Sequence, residues 1–410
     1  MNLADIQSYL QTHKIDGWLL YNFRDLNPIA MGVAGFARGG SRRWCLYIPA
    51  QGAPTWLVHA IESHMFMNAA PELKGELHRY ASWQQWESMI PQLVGATPGR
   101  RLRIAMEYSP RNALPFISRV DAGMKELVEQ SANAEIVSSA DLAQMVLAVL
   151  TPQQLAGHRR AARICLDVKE AAFAHIGERL RNQQPITEYE AQQFVAQRFA
   201  AAGLDPALSI VSVNANAADP HYFPGEQHHS PIQVGDVVLI DLWNREKNSP
   251  DDCFADCTWT AFCGSHIPPK VQQVFDVVIA GRDRAVQFIQ EQLDANTTVI
   301  GTAVDDACRQ VIADAGYGDY FIHRTGHSLG PTGHYLGVNI DNYETQDARQ
   351  LIPGIMFTIE PGIYMPDFNY DDSPTAKGLG IRSEINCFMH DDSVEVTTLP
   401  LQMEMPALLG

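Results

Sequence analysis

The chain has 410 residues, more than a single hydrophobic core usually serves, and its 46% hydrophobic and 19% charged residues are typical of a globular protein with two domains. Its 47 acidic and 30 basic residues give a net charge of -17, which argues against nucleic acid as a partner because phosphate groups are repelled. No apolar run is long enough for a membrane span and the first residues do not resemble a signal peptide, so we expect no membrane association and a cytoplasmic location.

Residues 1–150 alternate helix-like stretches with short apolar runs, as expected of an α/β domain. The first stretch is typical of an amphipathic helix that stops at Gly17, and residues 17–21 and 44–48 are typical of strands. This region offers no catalytic constellation. The seven cysteines of the chain are odd in number and widely scattered, which favours reduced thiols over a disulfide framework.

A domain boundary is predicted near residue 150. Residues 138–150 are apolar at helical spacing, and Thr151 followed by Pro152 supplies an N-cap and a proline at the first helical position. A new long helix should therefore begin there and run towards Asn182. These signals divide the chain into residues 1–150 and residues 151–410.

The second region contains an internal echo. Val234–Asp241 and Pro353–Glu360 are both apolar runs with glycine at the second position and a carboxylate six residues later. A strand that is apolar up to a terminal acid is unusual, because a carboxylate beside a core is costly unless a cation or a proton accompanies it. The repetition suggests two related halves that face one site, whereas two coincidental strand ends with solvated acids are the alternative.

A hairpin is predicted after the first of these runs. Asn244–Asp252 is a polar turn, after which the chain re-enters a strand, so Asp241 and Asp256 could lie on one surface. Two carboxylates at close range would share a proton or bind metal. Asp251 and Asp252 are rival candidates, but acids in turns are normally just solvated.

Three histidines, His323, His327 and His334, lie in a glycine-rich loop. Glycine at this density indicates a loop that approaches a ligand closely, and three histidines there favour metal ligation, proton transfer or substrate binding over a core role. Further on, Glu360 and Glu384 each lie in an apolar, β-prone context. For Glu384, a simple ion pair with Arg382 on one strand face is the alternative.

Four carboxylates and one imidazole form the candidate ligand set: Asp241, Asp256, His327, Glu360 and Glu384. Four carboxylates packed in one buried cleft require cations, and two divalent ions would neutralise them. Oxygen ligands with a single histidine suit Mn²⁺ first, with Co²⁺, Fe²⁺ or Zn²⁺ as alternatives. A water bridging two such ions would form hydroxide near neutral pH and attack an amide carbonyl. His221, His334 and Arg382 could then donate to the oxyanion or anchor a substrate carboxylate.

The order Asp, Asp-x-Thr-x-Thr, Gly-His, Glu-Pro-Gly and Arg-x-Glu resembles the pita-bread metallopeptidases, in the branch of Xaa-Pro aminopeptidases and Xaa-Pro dipeptidases (prolidases). The resemblance spans roughly residues 150–400, and the preceding region resembles the creatinase-like N-terminal domain of that branch. It implies an α/β N-terminal domain and an α+β pita-bread catalytic domain with two pseudo-symmetric halves. It also implies a homodimer that acts on small peptides.

The resemblance assigns roles to individual residues. The five candidate ligands match the metal ligands of the family, and Glu360 also matches its acid–base residue. His221 and His334 match histidines that contact the substrate and stabilise the intermediate, and His323 matches a residue of the proline pocket. Arg382 matches a residue near the metal site or the substrate carboxylate. The implied activity is metal-dependent hydrolysis of the Xaa-Pro bond of dipeptides or peptide N-termini through a metal-bridged hydroxide.

The chain also departs from the family pattern. The usual Asp-x-Gly is Asp241-Leu-Trp243 with a longer spacing to the second Asp, and Trp259, Ser328 and Tyr335 replace an arginine, a glycine and an acid. These changes leave the ligands in place and are expected to alter the walls of the cleft. Two alternatives therefore stay open: a creatinase-like hydrolase or lyase acting on a small zwitterionic non-peptide substrate, and a binding module without activity.

Overall fold

A computed structural model describes residues 2–206, 209–370 and 374–410 of the chain. The chain divides into two compact units, Met1–Ala148 and Val149–Gly410. Within the described ranges, no helix combines the length and the apolar character that crossing a membrane requires. All seven cysteines are free and buried, as the scattered spacing predicts.

The first unit is built on a six-stranded mixed sheet. Its strands are β1 (Gly17–Asn22), β2 (Trp44–Pro49), β3 (Thr55–His59), β4 (Glu76–Tyr80), β5 (Leu102–Met106) and β6 (Ala134–Ser138). They are arranged in the order β4-β3-β2-β1-β5-β6, antiparallel where β2 meets β1 and β3 and parallel elsewhere. The two strands predicted from apolar runs are β1 and β2, and both are confirmed.

Among its described residues the first unit also contains five α-helices: α1 (Leu3–Thr12), α2 (Pro28–Ala34), α3 (Trp83–Leu93), α4 (Ala122–Ala132) and α5 (Ala140–Ala143). Asn2 caps α1 through a capping box, and the helix ends before Gly17 as predicted. The predicted apolar helix near residue 140 is shorter than expected, because α5 gives way to a π-helical turn at Gln144–Ala148.

The second unit begins with α6 (Pro152–Arg181), α7 (Glu188–Ala201), β7 (Ile210–Val213), α8 (Asn214–Ala217), β8 (Val237–Asn244) and β9 (Ala255–Phe262). Thr151 caps α6 through a capping box with Gln154, and Asn182 ends the helix, so both predicted ends are confirmed. The strands form an antiparallel sheet in the order β7-β8-β9.

The second half of this unit has a similar plan. It comprises α9 (Pro269–Asp294), α10 (Gly301–Asp314), β10 (Ser328–Leu329), β11 (Met356–Ile359), β12 (Gly362–Met365), β13 (Leu379–Arg382), β14 (Ile385–Met389) and β15 (Val394–Val396). The sheets have the orders β10-β11-β14-β15 and β12-β13, with all pairs antiparallel. Each half thus places two helices ahead of antiparallel strands.

Strand alternation gives the β8–β9 hairpin two chemically different faces. Ile240 and Leu242 of β8 join the hydrophobic core together with residues of α6. Trp259 of β9 joins the same core, and Lys169 Nζ of α6 lies 3.2 Å from the centroid of its ring. The expectation that Trp259 alters the cleft is therefore wrong, because its side chain lies on the face opposite to that of Asp256.

The two runs of the internal echo end differently. β8 continues for three residues beyond Asp241, since Asn244 still pairs with Ala255 of β9. The expectation that the acid ends its strand is wrong for Asp241 and correct for Glu360, which directly follows the last residue of β11. Pairing with β9 extends β8 beyond Asp241. This is a tertiary effect, which the apolar pattern of the local sequence cannot predict.

Candidate metal centre

A cavity of about 540 Å³ lies in the second unit. It collects every site residue predicted from the sequence: His221, Asp241, Asp256, His323, His327, His334, Glu360, Arg382 and Glu384. The rival aspartates of the hairpin turn are not among its lining residues, and Asp252 instead accepts a hydrogen bond from the Ser249 amide at 2.8 Å. The structure therefore brings the predicted set together around one space.

The β8–β9 hairpin places the two aspartates on one face. Asp241 is directly opposite Thr258 in the antiparallel register, and Asp256 is opposite Trp243. Because residues two apart on a strand point to the same side, Asp241, Asp256 and Thr258 share the face that lines the cavity. The predicted hairpin geometry is thus present.

The imidazole of His327 is held with one nitrogen turned towards the carboxylates. Its Nδ1 lies 3.1 Å from the carbonyl oxygen of Ser328, which makes Nδ1 the protonated nitrogen of a neutral ring. Burial lowers the pKa of His327 well below its ordinary value, consistent with a neutral ring. The unprotonated Nε2 then faces Glu360 Oε1 at 3.4 Å and Asp256 Oδ2 at 3.9 Å.

The two glutamates reach the cavity from the ends of strands. The Glu360 amide donates to the Thr325 carbonyl at 2.7 Å, and the Glu384 amide donates to the Thr258 carbonyl at 3.1 Å. The hydroxyl of Thr258 also donates to Glu384 Oε2 at 2.8 Å. Glu384 lies between β13 and β14, so the single strand that would have paired it with Arg382 is interrupted. The ion pair of Arg382 is instead with Asp241, at 2.5 Å.

The carboxylates repel one another and are buried. Burial first, and then the charge of Asp241, raises the pKa of Asp256 well above its usual range. Burial and the neighbouring Asp256 do the same for Glu384, and burial raises the pKa of Glu360 to about 7. Without a cation, this cluster retains protons that ordinary carboxylates lose.

The donor set fits a divalent cation. Asp256, His327 and Glu384 each offer a ligand atom, and these atoms lie within 4.8 Å of one another. Buried oxygens of Asp241, Asp256 and Glu384 have no hydrogen-bond partner in the described part of the chain. Such buried acceptors without a partner are costly unless a cation satisfies them. Carboxylate oxygens with one histidine suit Mn²⁺, Co²⁺, Fe²⁺ or Zn²⁺.

A chain of hydrogen bonds connects Arg382 to His323. Arg382 Nη1 donates to the Tyr364 hydroxyl oxygen at 3.3 Å, and this hydroxyl lies 2.7 Å from His323 Nε2. His323 Nδ1 lies 2.7 Å from the carbonyl of Arg324, so the ring is neutral with its proton on Nδ1. Burial accordingly lowers the pKa of His323 to about 3.

His334 and His221 occupy another part of the cavity wall. The His334 ring lies 4.1 Å from that of His327 between centroids, and Arg324 Nη2 donates to its Nδ1 at 3.4 Å. Burial and the charge of Arg324 lower the pKa of His334 to about 4. His221 is exposed, and its amide donates to Asp219 Oδ1 at 3.2 Å.

Two buried acids fix the loops that carry these histidines. Asp305 of α10 accepts from the Thr325 amide at 2.9 Å, beside His323 and His327. Glu188 of α7 accepts from the amides of Val213 and Ser230 at 2.8 and 2.6 Å, on either side of the segment that carries His221. These acids precede their loops by tens of residues, so the local sequence contains no signal for either role.

Some residues that line the cavity were not predicted from the sequence. Arg324, Glu344, Asp219 and Ile322 line the cavity although no site role was predicted for them. Of the departures from the family pattern, Trp243 lines the cavity, whereas Ser328 and Tyr335 are not among its lining residues. Arg324 lies within the histidine loop that the sequence singled out, which is the signal that could have identified it.

Comparison with known proteins identifies relatives of the second unit. Residues 156–391 match the profile of metallopeptidase family M24. An Xaa-Pro dipeptidase of Lactobacillus delbrueckii subsp. lactis is 29% identical over 160 residues, which cover 39% of this chain and 39% of that protein. The chain spans 39–48% of the length of the first curated relatives that it matches.

Solved structures resemble nearly the whole chain. The dipeptidase PepE of Mycobacterium ulcerans superposes with a TM-score of 0.68 at 21% identity, covering 99% of this chain and 96% of that one. An Xaa-Pro dipeptidase of Bacillus anthracis superposes with a TM-score of 0.63 at 20% identity, covering 99% and 98%. These likenesses confirm the predicted fold class, an α/β domain followed by an α+β domain with two related halves.

Proposed function

The chain belongs to metallopeptidase family M24, and on that basis we propose that it is a metal-dependent exopeptidase that hydrolyses the Xaa-Pro bond of dipeptides or peptide N-termini. The observation that carries the proposal is the cluster of Asp256, His327 and Glu384, whose ligand atoms lie within 4.8 Å of one another. It lies beside carboxylate oxygens without hydrogen-bond partners among the described residues, in a cavity large enough for a small peptide. The names of the relatives, an Xaa-Pro dipeptidase and a dipeptidase among them, support the choice of substrate.

In this proposal two divalent ions, Mn²⁺ first, are held by Asp241, Asp256, His327, Glu360 and Glu384. Bound ions would supply Lewis-acid activation of the scissile carbonyl and of a water molecule. Four carboxylates carry enough charge for two such ions, and the raised pKa values of Asp256, Glu360 and Glu384 reflect burial and mutual repulsion, which bound cations would offset.

The surrounding side chains would handle the proton and the developing charge. Glu360 would accept the proton of the attacking water and return it to the leaving nitrogen. His334 and His221 would donate hydrogen bonds to the oxygen that becomes negative, and burial with a neighbouring guanidinium already favours a neutral His334. His323, neutral and fixed by Tyr364, would line the pocket for the proline ring.

Two arginines would have different tasks. All three nitrogens of Arg382 already donate within the protein, to Thr258, Tyr364 and Asp241 among others. We therefore assign Arg382, which the sequence predicts as a substrate contact, to positioning Asp241. Arg324 lines the same cavity, and its guanidinium makes only long contacts, with Glu344 at 3.7 Å and with His334 at 3.4 Å. It would therefore take the carboxylate of the peptide.

Four expectations complete the proposal. Residues 1–150 would form a creatinase-like N-terminal domain and residues 151–410 the catalytic domain, in a homodimer located in the cytoplasm. Sedimentation of the purified protein and fractionation of cells test the last two. The small-zwitterion alternative is not favoured, because relatives with matching sequences bear the names of peptidases.

The direct test is an assay of purified protein supplied with Mn²⁺. Xaa-Pro dipeptides, Xaa-Pro-Xaa tripeptides and matched peptides with alanine in place of proline should be compared, with Glu360→Gln as the inactive variant. We expect prolyl cleavage that requires metal and is lost in Glu360→Gln. The ratio of dipeptide to tripeptide cleavage separates a dipeptidase from an aminopeptidase. Metal binding without cleavage of any peptide would contradict the proposal.

A further inference from the structure

An apolar strip alternates with the carboxylates on the cavity face of the β7-β8-β9 sheet. The register pairs Ile210 of β7 with Asp241 of β8, and Trp243 of β8 with Asp256 of β9. Residues that are directly opposite in antiparallel strands point to the same side, so all four share the face that lines the cavity. We call Ile210 and Trp243 the apolar wall.

The indole of Trp243 is held firmly. It packs against a buried cluster formed by Ile210, Ala217 and Leu239, and its side chain is half-buried. Leu239 and Trp243 lie on the same face of β8, opposite to the face of the core residues Ile240 and Leu242. The part of the indole that the cluster leaves uncovered is therefore a rigid apolar surface inside the cavity.

The charges of the cavity determine which end of a peptide meets this wall. Asp241 and Asp256, the cross-strand neighbours of the wall, have carboxylate oxygens without hydrogen-bond partners among the described residues. The proposed function gives these oxygens to divalent ions that would polarise the scissile carbonyl, and this carbonyl belongs to the first residue of the peptide. The first residue would therefore lie beside the two aspartates while the C-terminal carboxylate is drawn to the guanidinium of Arg324, so the first side chain would lie next to the wall.

We propose that Ile210 and Trp243 form the subsite for the side chain of the first residue of the peptide and make the enzyme prefer a large apolar residue there. This inference rests on the proposed function and deepens it. The other apolar lining residues, Pro220 and Ile322, lie on loops rather than on the sheet that carries the two aspartates. Glycine in the first position leaves the indole without a contact, and a charged side chain loses hydration against it.

The test compares kcat/KM for Leu-Pro, Gly-Pro and Glu-Pro in the Mn²⁺-supplied wild type, Trp243→Ala and Trp243→Phe. Each methylene in an apolar pocket is worth roughly tenfold in kcat/KM, so the Leu-Pro to Gly-Pro ratio should fall at least about tenfold in Trp243→Ala. Trp243→Phe, which keeps an apolar ring, should retain most of the ratio. Trp259→Phe is the matched control, because Trp259 of β9 lies on the core face of the same hairpin and should leave the ratio unchanged.

A binding measurement makes the test independent of turnover. Calorimetry of Leu-Pro and Gly-Pro with Mn²⁺-supplied Glu360→Gln should show tighter binding of Leu-Pro, and the preference should disappear in Glu360→Gln/Trp243→Ala. Thermal melts of each variant show whether it is folded.

Several outcomes overturn the inference. An unchanged Leu-Pro to Gly-Pro ratio in Trp243→Ala would do so, as would an equal loss for both substrates, because Trp243 would then not select the first side chain. If Trp243→Ala lowers kcat/KM only for substrates with proline in the second position, and not for those with alanine there, the wall contacts the proline ring instead. If the wild type cleaves no peptide, the proposed function fails, and the calorimetric preference alone decides the inference.

Discussion

The hydroxyl of Thr258 donates a hydrogen bond of 2.8 Å to Oε2 of Glu384, a residue 126 positions further along the chain. The same hydroxyl oxygen accepts from Arg382 Nε at 3.0 Å. One buried side chain thereby fixes Glu384, a candidate metal ligand, and also Arg382, which pairs with a second candidate ligand, Asp241.

Thr258→Val keeps the shape of the side chain and removes both hydrogen bonds. We expect the affinity for Mn²⁺ to fall by roughly 10- to 100-fold, the usual loss when a partner of a metal ligand is removed, as measured by calorimetry on metal-free protein. Thr260→Val is the matched control, because its buried hydroxyl, on the same face of β9, bonds the Arg382 carbonyl rather than a ligand. Equal losses of affinity in both variants would show that Thr258 does not position Glu384.

Metal should stabilise the second unit, and Asp256 should set the size of the effect. Ions at 100 times their dissociation constant add about 2.7 kcal/mol to the stability of the folded state. Burial and the charge of Asp241 raise the pKa of Asp256, so Asp256→Asn should stabilise the metal-free protein and abolish the metal response in thermal melts. Asp252→Asn, in the hairpin turn, should melt like the wild type with and without metal. A metal response that survives in Asp256→Asn would remove Asp256 from the ligand set.

The sequence predicts local structure and the candidate ligands well, but not the contacts that orient them. Thr151 and Pro152 are sufficient to start α6, and the polar turn before Asp256 is sufficient to predict the hairpin, because caps and turns are local. Asp256 and Trp259 are three residues apart on one strand, so alternation alone places Trp259 on the core face, and its expected role in the cleft wall came from the family pattern. By contrast, the pairing of Arg382 with Asp241 rather than with Glu384 follows from strands that meet only after folding.

Glu188 should hold the segment that carries His221. Its carboxylate accepts from the Val213 and Ser230 amides and from the Tyr222 hydroxyl, at 2.8, 2.6 and 2.8 Å. Glu188→Gln replaces one acceptor oxygen with a donor, and hydrogen bonds to charged groups are each worth about 1.5–3 kcal/mol. We expect faster limited proteolysis between residues 214 and 230, where this segment lies.

The control for this prediction is Glu190→Gln, two residues further along α7. Glu190 is exposed and completes the capping box of that helix, a role that glutamine also performs. Its proteolysis should match that of the wild type. If Glu188→Gln is cut no faster than Glu190→Gln, the buried carboxylate does not secure the segment.

Glu107 should make the first unit less stable as the pH rises. This carboxyl group is fully buried, and burial raises its pKa to about 7 although Trp18, Asn27 and Ser139 all donate to it. The folded state therefore keeps a proton that the unfolded state releases near its ordinary pKa of 4.5, so stability falls between about pH 4.5 and pH 7 and levels off above. The expected loss from pH 5 to pH 8 is roughly 2–3 kcal/mol.

Glu107→Gln isolates this contribution, because glutamine does not titrate. The amide nitrogen of the new glutamine would face the Asn27 side-chain nitrogen, which donates to Glu107 in the wild type. The Asn27 amide cannot flip, because its oxygen accepts the hydrogen bonds that cap α2. The variant therefore loses one hydrogen bond at every pH. The margin by which the wild type is more stable than the variant should fall by roughly 2–3 kcal/mol from pH 5 to pH 8, in thermal or denaturant melts. A margin that stays constant across this range would show that Glu107 is already ionised at pH 5, with its three donors outweighing burial.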